Sequence, residues 1–199
     1  MEKNVTTIAL EMKSPTDFRP KKIDRNDVRV ERIEIPTPSL SHYFFVNVGR
    51  PWKWYSRLSW TLSDWQAWVE NENVHTYVGY VKNTPFGYIE LDQQGDSVEI
   101  AFFGVLPQFI EYGLGGYLLS EAIRLAWQLN PERVWVHTCT HDHKYALNNY
   151  QARGLSIYQK TSEQETIPDD DDPIWATPDY YRSIAEQYKE LSNQHAKAI

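Results

Sequence analysis

The chain is poor in cysteine, in basic residues and in long apolar runs, and each shortage narrows what it can be. Its one cysteine, Cys139, excludes an intrachain disulfide and fits a reducing compartment. Lys and Arg number 20 against 27 Asp and Glu, and the formal charge of −7 argues against a nucleic-acid binder, which shows a basic face. An acidic surface instead suits a cationic or amine-bearing partner. No run approaches the roughly 20 apolar residues of a membrane span, and Met1 to Ser14 lacks the apolar core of a signal peptide. A soluble, cytoplasmic protein is expected, without nucleic-acid or membrane partners. No internal repeat is visible.

What the chain does hold is apolar and aromatic. With 199 residues and 41% hydrophobic content it can bury one sizeable α/β core. Residues 1–26 read as an N-terminal extension, with a strand-like alternation over Val5 to Met12 that suits an added edge strand. A main domain is expected over 27–163. It opens with a strand at Val28 to Ile35 and a short helix within Ser39 to Val48, closed by Gly49. Of 8 Trp and 13 Tyr, many crowd into the next stretch, which holds Trp52, Trp54, Tyr55, Trp60, Trp65 and Trp68. Ser63 followed by Gln66 reads as a capping box opening a helix from Asp64 to about Glu70. On that helix Trp65 and Trp68 share a face and suit core filling. Trp52, Trp54 and Tyr55 sit in a loop with Arg50, Lys53 and Arg57, where an aromatic pocket wall and ordinary packing are both open readings.

Strands at His75 to Val81 and Phe86 to Leu91, joined by a turn at Asn83 to Pro85, lead through Gly95 into an apolar strand from Val98 to Leu106. These three form an antiparallel meander. Pro107 ends the last strand, and Gly113, Gly115 and Gly116 open a helix reaching about Leu129, with Leu118, Leu119, Ala122, Ile123 and Ala126 at helical spacing. A strand passing through a glycine loop into a helix N-terminus suits an anion, because unpaired N–H groups and the helix dipole face it. It also suits a plain tight turn. A strand at Arg133 to Thr140, parallel to Val98–Leu106, a helix from Lys144 to Arg153 and a strand at Ser156 to Thr161 complete the domain. Residues 164–199 read as an acidic linker, with Asp169 to Asp172 solvated and non-structural, and a helical tail. That helix would carry Tyr181, Ile184, Tyr188 and Leu191 on one face, for a homodimer contact or a return onto its own domain.

This order of elements, over roughly Val28 to Lys160, resembles the GNAT superfamily of acetyl-CoA-dependent N-acetyltransferases. The family motif Arg/Gln-x-x-Gly-x-Gly/Ala matches Ile110-Glu111-Tyr112-Gly113-Leu114-Gly115, with Ile110 in place of the polar residue. A second family pattern, Ala-x-x-x-Tyr-x-x-x-Gly-Phe, matches Ala146 to Leu155, with Tyr150 and Gly154 kept and Leu155 in place of Phe. His143 stands where the family often has Asn. The segments PWKWYSRLSW, VEIAFFGVLPQF and RVWVHTCTHDH look like a bacterial subgroup whose acceptor is not identified.

The resemblance implies an α/β fold with a mixed sheet: an antiparallel meander, then a parallel pair splayed around the CoA site, with helices on both faces. It implies acetyl-CoA as co-substrate. Glu111, Tyr112, Gly113, Leu114, Gly115 and Gly116 would hold the pyrophosphate, and Phe103, Val105 and Leu106 the pantetheine and thioester oxygen. Glu99, fourteen residues before Gly113, matches a catalytic glutamate of the superfamily and would act as general base, its pKa raised by burial. Pairing with a neighbouring cation, or a place at the strand edge in water, is the other reading of Glu99, and Glu90 and Asp92 are rival carboxylates. By the same resemblance Tyr150 is the general acid, although an ordinary core tyrosine fits that helix position too. The acceptor pocket would be formed by Trp52, Trp54, Tyr55 and Arg57, and would admit a small-molecule or protein amine. His137, Cys139 and His141 share one strand face near His143, but their spacing suits no tetrahedral metal set, so no metal is expected. They line the acceptor side of the cleft in this reading. Ile110 and His143 leave a rival from another class, a non-catalytic acyl-CoA-binding sensor.

Overall fold

A computed structural model describes residues 1–197, and side chains other than those of 188 and 191–197. The chain builds a seven-stranded mixed sheet in the order β2-β3-β4-β5-β6-β1-β7, with helices on both faces. The strands are β1 (Glu2–Met12), β2 (Val28–Arg32), β3 (Val74–Val81), β4 (Thr84–Gln94), β5 (Ser97–Val105), β6 (Arg133–Cys139) and β7 (Ser156–Thr166). The helices are α1 (Pro38–Gly49), α2 (Leu62–Val69), α3 (Leu114–Trp127), α4 (Ala146–Ala152) and α5 (Pro178–Lys197).

The largest departure from expectation is at the N-terminus. β1 is not an edge strand: it lies inside the sheet, antiparallel to both β6 and β7. Val5 and Ala9 are buried on one face and Leu10 and Met12 on the other, so the strand is covered on both faces as well as paired along both edges. β7 is also longer than expected, so a domain boundary at 163 falls inside a strand.

The meander β3–β4–β5 forms as the alternation predicts, with its first turn shifted to Lys82 and Asn83, both at positive φ as a two-residue hairpin turn requires. β4 and β5 shift register at Glu90/Leu91, where Ala101 has no opposite residue. That bulge bends β5. Its other edge pairs with parallel β6 only from Ser97 to Glu99, against Arg133 to Trp135, after which the two strands part. A cleft opens where the pairing ends.

The core lies on both faces. Leu118, Leu119, Ala122, Ile123 and Ala126 of α3 are fully buried against Ile89, Leu91, Val98, Ile100, Val134 and Val136. On the opposite face α1 and α2 place Phe44, Val48, Phe45 and Trp65. The capping box of α2 is Thr61 with Asp64, in place of Ser63 with Gln66: the Thr61 hydroxyl accepts from Asp64 N at 3.3 Å, and the Asp64 carboxylate accepts from Thr61 N at 2.8 Å.

The tail returns onto this second face. Trp175 and Tyr180 are buried beside Phe45, Leu58 and Trp65, and the His42 ring of α1 stacks on Tyr180 at 3.6 Å. Tyr180 and Ile184, rather than the exposed Tyr181, form the inner face of α5. Tyr188 and Leu191 lie outside the described side chains. The acidic run is not merely solvated, since Asp172 caps the following turn at Ile174 N (2.9 Å), the Asp169 carbonyl accepts from Trp175 Nε1 (2.6 Å) and Asp170 pairs with Lys53. Among the described residues no helix is long and apolar enough to cross a membrane.

Candidate active site

The cleft between β5 and β6 is a cavity of about 730 Å3 that runs from the glycine loop to the aromatic loop after α1. At the first end, Pro107–Phe109 makes one tight turn, and Glu111 and Gly113 then take left-handed φ values of 72° and 75°. The chain is thereby turned into α3 with the helix amides facing the cavity. Glu111, Gly113, Gly115 and Gly116 line it, as does Ile110. Tyr112 points to solvent and Leu114 into the core, so these two could contribute only backbone. Lys21, which was not anticipated, also lines this end, and its Nζ donates to the Gly113 carbonyl at 3.1 Å. It lies 92 residues away along the chain, and no local pattern marks it.

Along the middle of the cleft, Phe103, Gly104 and Val105 line the wall. Leu106 does not, because its side chain is buried and its N–H donates to Phe86 O at 2.8 Å. That bond also fixes the sense of the strand. Leu106 and Phe86 form a hydrogen-bonded pair, so by alternation Phe103 and Val105 turn their N–H groups away from β4 and into the cleft, where β6 has withdrawn.

Glu99 is 9% exposed and does not itself line the cavity. His137 of β6 stands between, its Nδ1 donating to Glu99 Oε1 at 3.1 Å, while Gln94 Nε2 donates to Oε2 at 2.8 Å. The hydrogen bond to Glu99 raises the His137 pKa above its usual 6.5, against the opposing effect of burial, with the charges of Glu99 and Asp142 adding to the rise. With Nδ1 committed, Nε2 is the ring nitrogen left to the cavity. The rival carboxylates go elsewhere. Asp92 takes a hydrogen bond from Gln94 Nε2 at 2.8 Å, and Glu90 is fully buried on Arg57.

Tyr150 lies on α4, lines the cavity opposite β5 and has its ring 6.3 Å from that of Phe103. Burial, then the charge of Asp142 and the nearby Cys139, raise its pKa, so the phenol keeps its proton. Asp142 is held by Thr138 Oγ1 (2.6 Å) and Cys139 N (3.0 Å), and burial raises the Cys139 pKa as well.

At the far end Trp52, Trp54 and Tyr55 line the cavity with His141, His143, Tyr145 and Glu165. Trp52 meets the His143 ring edge-on at 5.0 Å, and the Tyr55 hydroxyl donates to Glu165 of β7. Burial and this bond push the Tyr55 pKa up to about 12. Arg57 is not part of this pocket. It is buried behind the aromatic loop, its guanidinium 4.1 Å and 4.5 Å from the ring centres of Trp68 and Trp60, and bonded to Glu90 at 2.7 Å. The loop doubles back between Tyr55 and Leu58, which sends residue 55 to the cavity and residue 57 to the core.

The acetyltransferase (GNAT) family model matches residues 37–155, more than half of the chain. No curated protein matches it significantly. Solved structures with the same fold include a GCN5-related N-acetyltransferase from Kribbella flavida (13% identity, TM-score 0.59) and one from Sphaerobacter thermophilus (12%, 0.57). Each aligns over 84% of this chain, which spans only 60% and 54% of theirs. An aminoglycoside acetyltransferase from an uncultured soil metagenomic sample aligns over 74% of this chain and all of its own (16%, 0.58). The matched span carries the glycine loop, the splayed strands and the Tyr150 helix, and the chain belongs to the acetyltransferase (GNAT) family.

Proposed function

We propose that the protein transfers an acetyl group from acetyl-CoA directly to an amine. One observation carries the reading: a single cavity joins the glycine loop, the outward N–H groups of β5, Tyr150 and His137, with Glu99 bonded behind the histidine. The residues present suit the co-substrate. Left-handed Glu111 and Gly113 aim helix amides at a diphosphate, and β5 offers an unpaired edge to a pantetheine arm. Acetyl-CoA supplies the activated acyl group.

The remaining chemistry falls to side chains. The N–H of Phe103 or Val105 donates to the thioester oxygen and stabilises the charge that develops there. The amine enters from the Trp52–Tyr55 end, where the carboxylates of Glu165 and Asp142 favour a cationic molecule. Glu99 acts as base through His137: it holds Nδ1, and Nε2 accepts the amine proton as nitrogen bonds to the acyl carbon. Tyr150 presents its proton to the sulfur as the carbon–sulfur bond breaks.

The test is thiol release from acetyl-CoA by purified protein across a panel of amines that includes polyamines and aminoglycosides. Release with at least one amine, and none without protein, is expected. Acetyl-CoA binding without release by any amine would replace this reading with that of a sensor.

A further inference from the structure

The N-terminal segment passes over the two helix ends that border the phosphate loop. Arg19 N donates to Arg153 O at 3.0 Å, just beyond α4, and Lys21 N donates to Ser120 Oγ on α3 at 2.8 Å. Phe18 and Ile23 pack on the main core on either side. Two glycines are shaped to this passage. At Gly154, with φ of 100°, a Cβ would lie 2.0 Å from the Asp17 carbonyl oxygen. At Gly116 it would lie 2.7 Å from Lys21 Cδ and 3.0 Å from an Arg153 guanidinium nitrogen. The segment is therefore held in place from both sides, and its Lys21 side chain lies along the loop with Nζ on Gly113 O.

An ammonium has three donors, and Gly113 takes one. No residue of the loop itself is basic, since residue 110 is isoleucine and Glu111 brings a carboxylate to the same wall. The Arg153 guanidinium lies beside Gly116 but does not line the cavity, whereas Lys21 does. Resting on the acetyl-CoA reading above, we infer that Lys21 supplies the cation for the diphosphate of CoA, so that the N-terminal segment is part of the co-substrate site. The task left open by Ile110 is met by a residue from outside the motif.

The experiment is calorimetric titration of CoA and of 3′-dephospho-CoA into wild type, Lys21→Met, Lys21→Arg and the neighbouring Lys22→Met. Lys21 is exposed and anchored by its backbone, so the variants should melt with the wild type. Loss of one charge-assisted contact weakens binding about tenfold. The expected result is that Lys21→Met weakens both ligands by that factor and flattens their salt dependence. Lys21→Arg should stay within about threefold of wild type and Lys22→Met should match it. Wild-type binding with Lys21→Met unchanged overturns the inference. A loss confined to CoA, with 3′-dephospho-CoA unaffected, also overturns it by moving the cation to the 3′-phosphate. Failure of the wild type to bind either ligand overturns instead the acetyl-CoA reading on which it rests.

Discussion

Two carboxylates sit on adjacent strands of this sheet, each inside an apolar run, and they meet opposite environments. Glu90 on β4 is fully buried, bonded to Arg57 (2.7 Å) and Trp68 Nε1 (3.1 Å), with the guanidinium packed among Trp60, Trp68 and Phe102. Glu99 on β5 is bonded to a half-exposed histidine that opens on the cavity. Both carboxylates turn to the same face of the sheet, since Glu99 lies opposite Asp92 and Asp92 is two residues from Glu90. The difference lies in what each meets there: Arg57 over the first and, beside the second, the cleft that opens where β5 and β6 part after Glu99. A sealed ion pair can only hold the structure together, whereas a pair with one member at a cleft can exchange a proton. Burial of a carboxylate is thus a poor guide to function without the identity and exposure of its partner.

Removing one member of each pair sharpens the contrast, and the largest effect is expected on the sealed side. Glu90→Gln leaves the Arg57 charge buried and should cost about 3–5 kcal/mol, lowering the melting temperature by on the order of 10 °C. Adding Arg57→Met to a Glu90→Leu change should recover most of that loss, because an apolar pair of similar volume needs no desolvation of charge. Chemical unfolding of the two variants checks both statements, and equal stability of single and double variants would refute the account of the pair.

The cleft side should respond in the opposite sense, losing turnover and keeping its stability. Tyr150→Phe removes one hydroxyl from the cavity wall and should lower turnover with the best amine of the panel about 100-fold, with CoA affinity within twofold. Steady-state kinetics and titration of CoA separate those quantities. A smaller effect belongs to His42, which lies with the sealed aromatic face. Burial pushes its pKa down to about 4. Unfolded chains protonate near 6.5 and the folded one does not, so stability is full above pH 6.5 and falls as pH drops toward 4. After allowance for solvent screening the loss is about 2 kcal/mol, and His42→Phe should flatten that limb of the stability–pH curve.

Much of this architecture is legible locally. The meander, the glycine loop opening α3 and the Tyr150 helix each carry turn residues and periodicity within a short window, and they appear where that window places them. What is not legible depends on partners far along the chain. Glu90 and Glu99 look alike in sequence, and only Arg57, 33 residues from the first, and His137, 38 from the second, tell them apart. β1 has a readable alternation, but nothing in it says that β6 and β7 would leave a gap for it. Arg57 sits two residues from Tyr55 in an aromatic loop, and a single reversal of the chain sends one inward and the other to the cavity. Lys21 follows the same rule, since a charged residue in a Pro- and Lys-rich segment carries no mark of the loop it will reach.

The smallest effect on stability, and the most direct on mechanism, is expected from Glu99→Gln. Its partner is half exposed, so the change should cost under about 1 kcal/mol. The raised pKa of His137 comes first from the hydrogen bond to Glu99, and burial acts against it. With the carboxylate gone only burial, which lowers the pKa, and the charge of Asp142, which raises it, remain, and the imidazole should titrate below its wild-type midpoint. The linkage has a definite sign: in the wild type this pair adds stability that is present below pH 6.5 and lost as pH rises through the higher folded value. Nuclear magnetic resonance titration of the histidine ring nitrogens in both proteins reads the shift directly. The acid limb of the pH–rate profile should move with it, because a base must be unprotonated to take the amine proton. A His137 midpoint unchanged by Glu99→Gln would place Glu99 with Glu90, as a carboxylate that serves the fold alone.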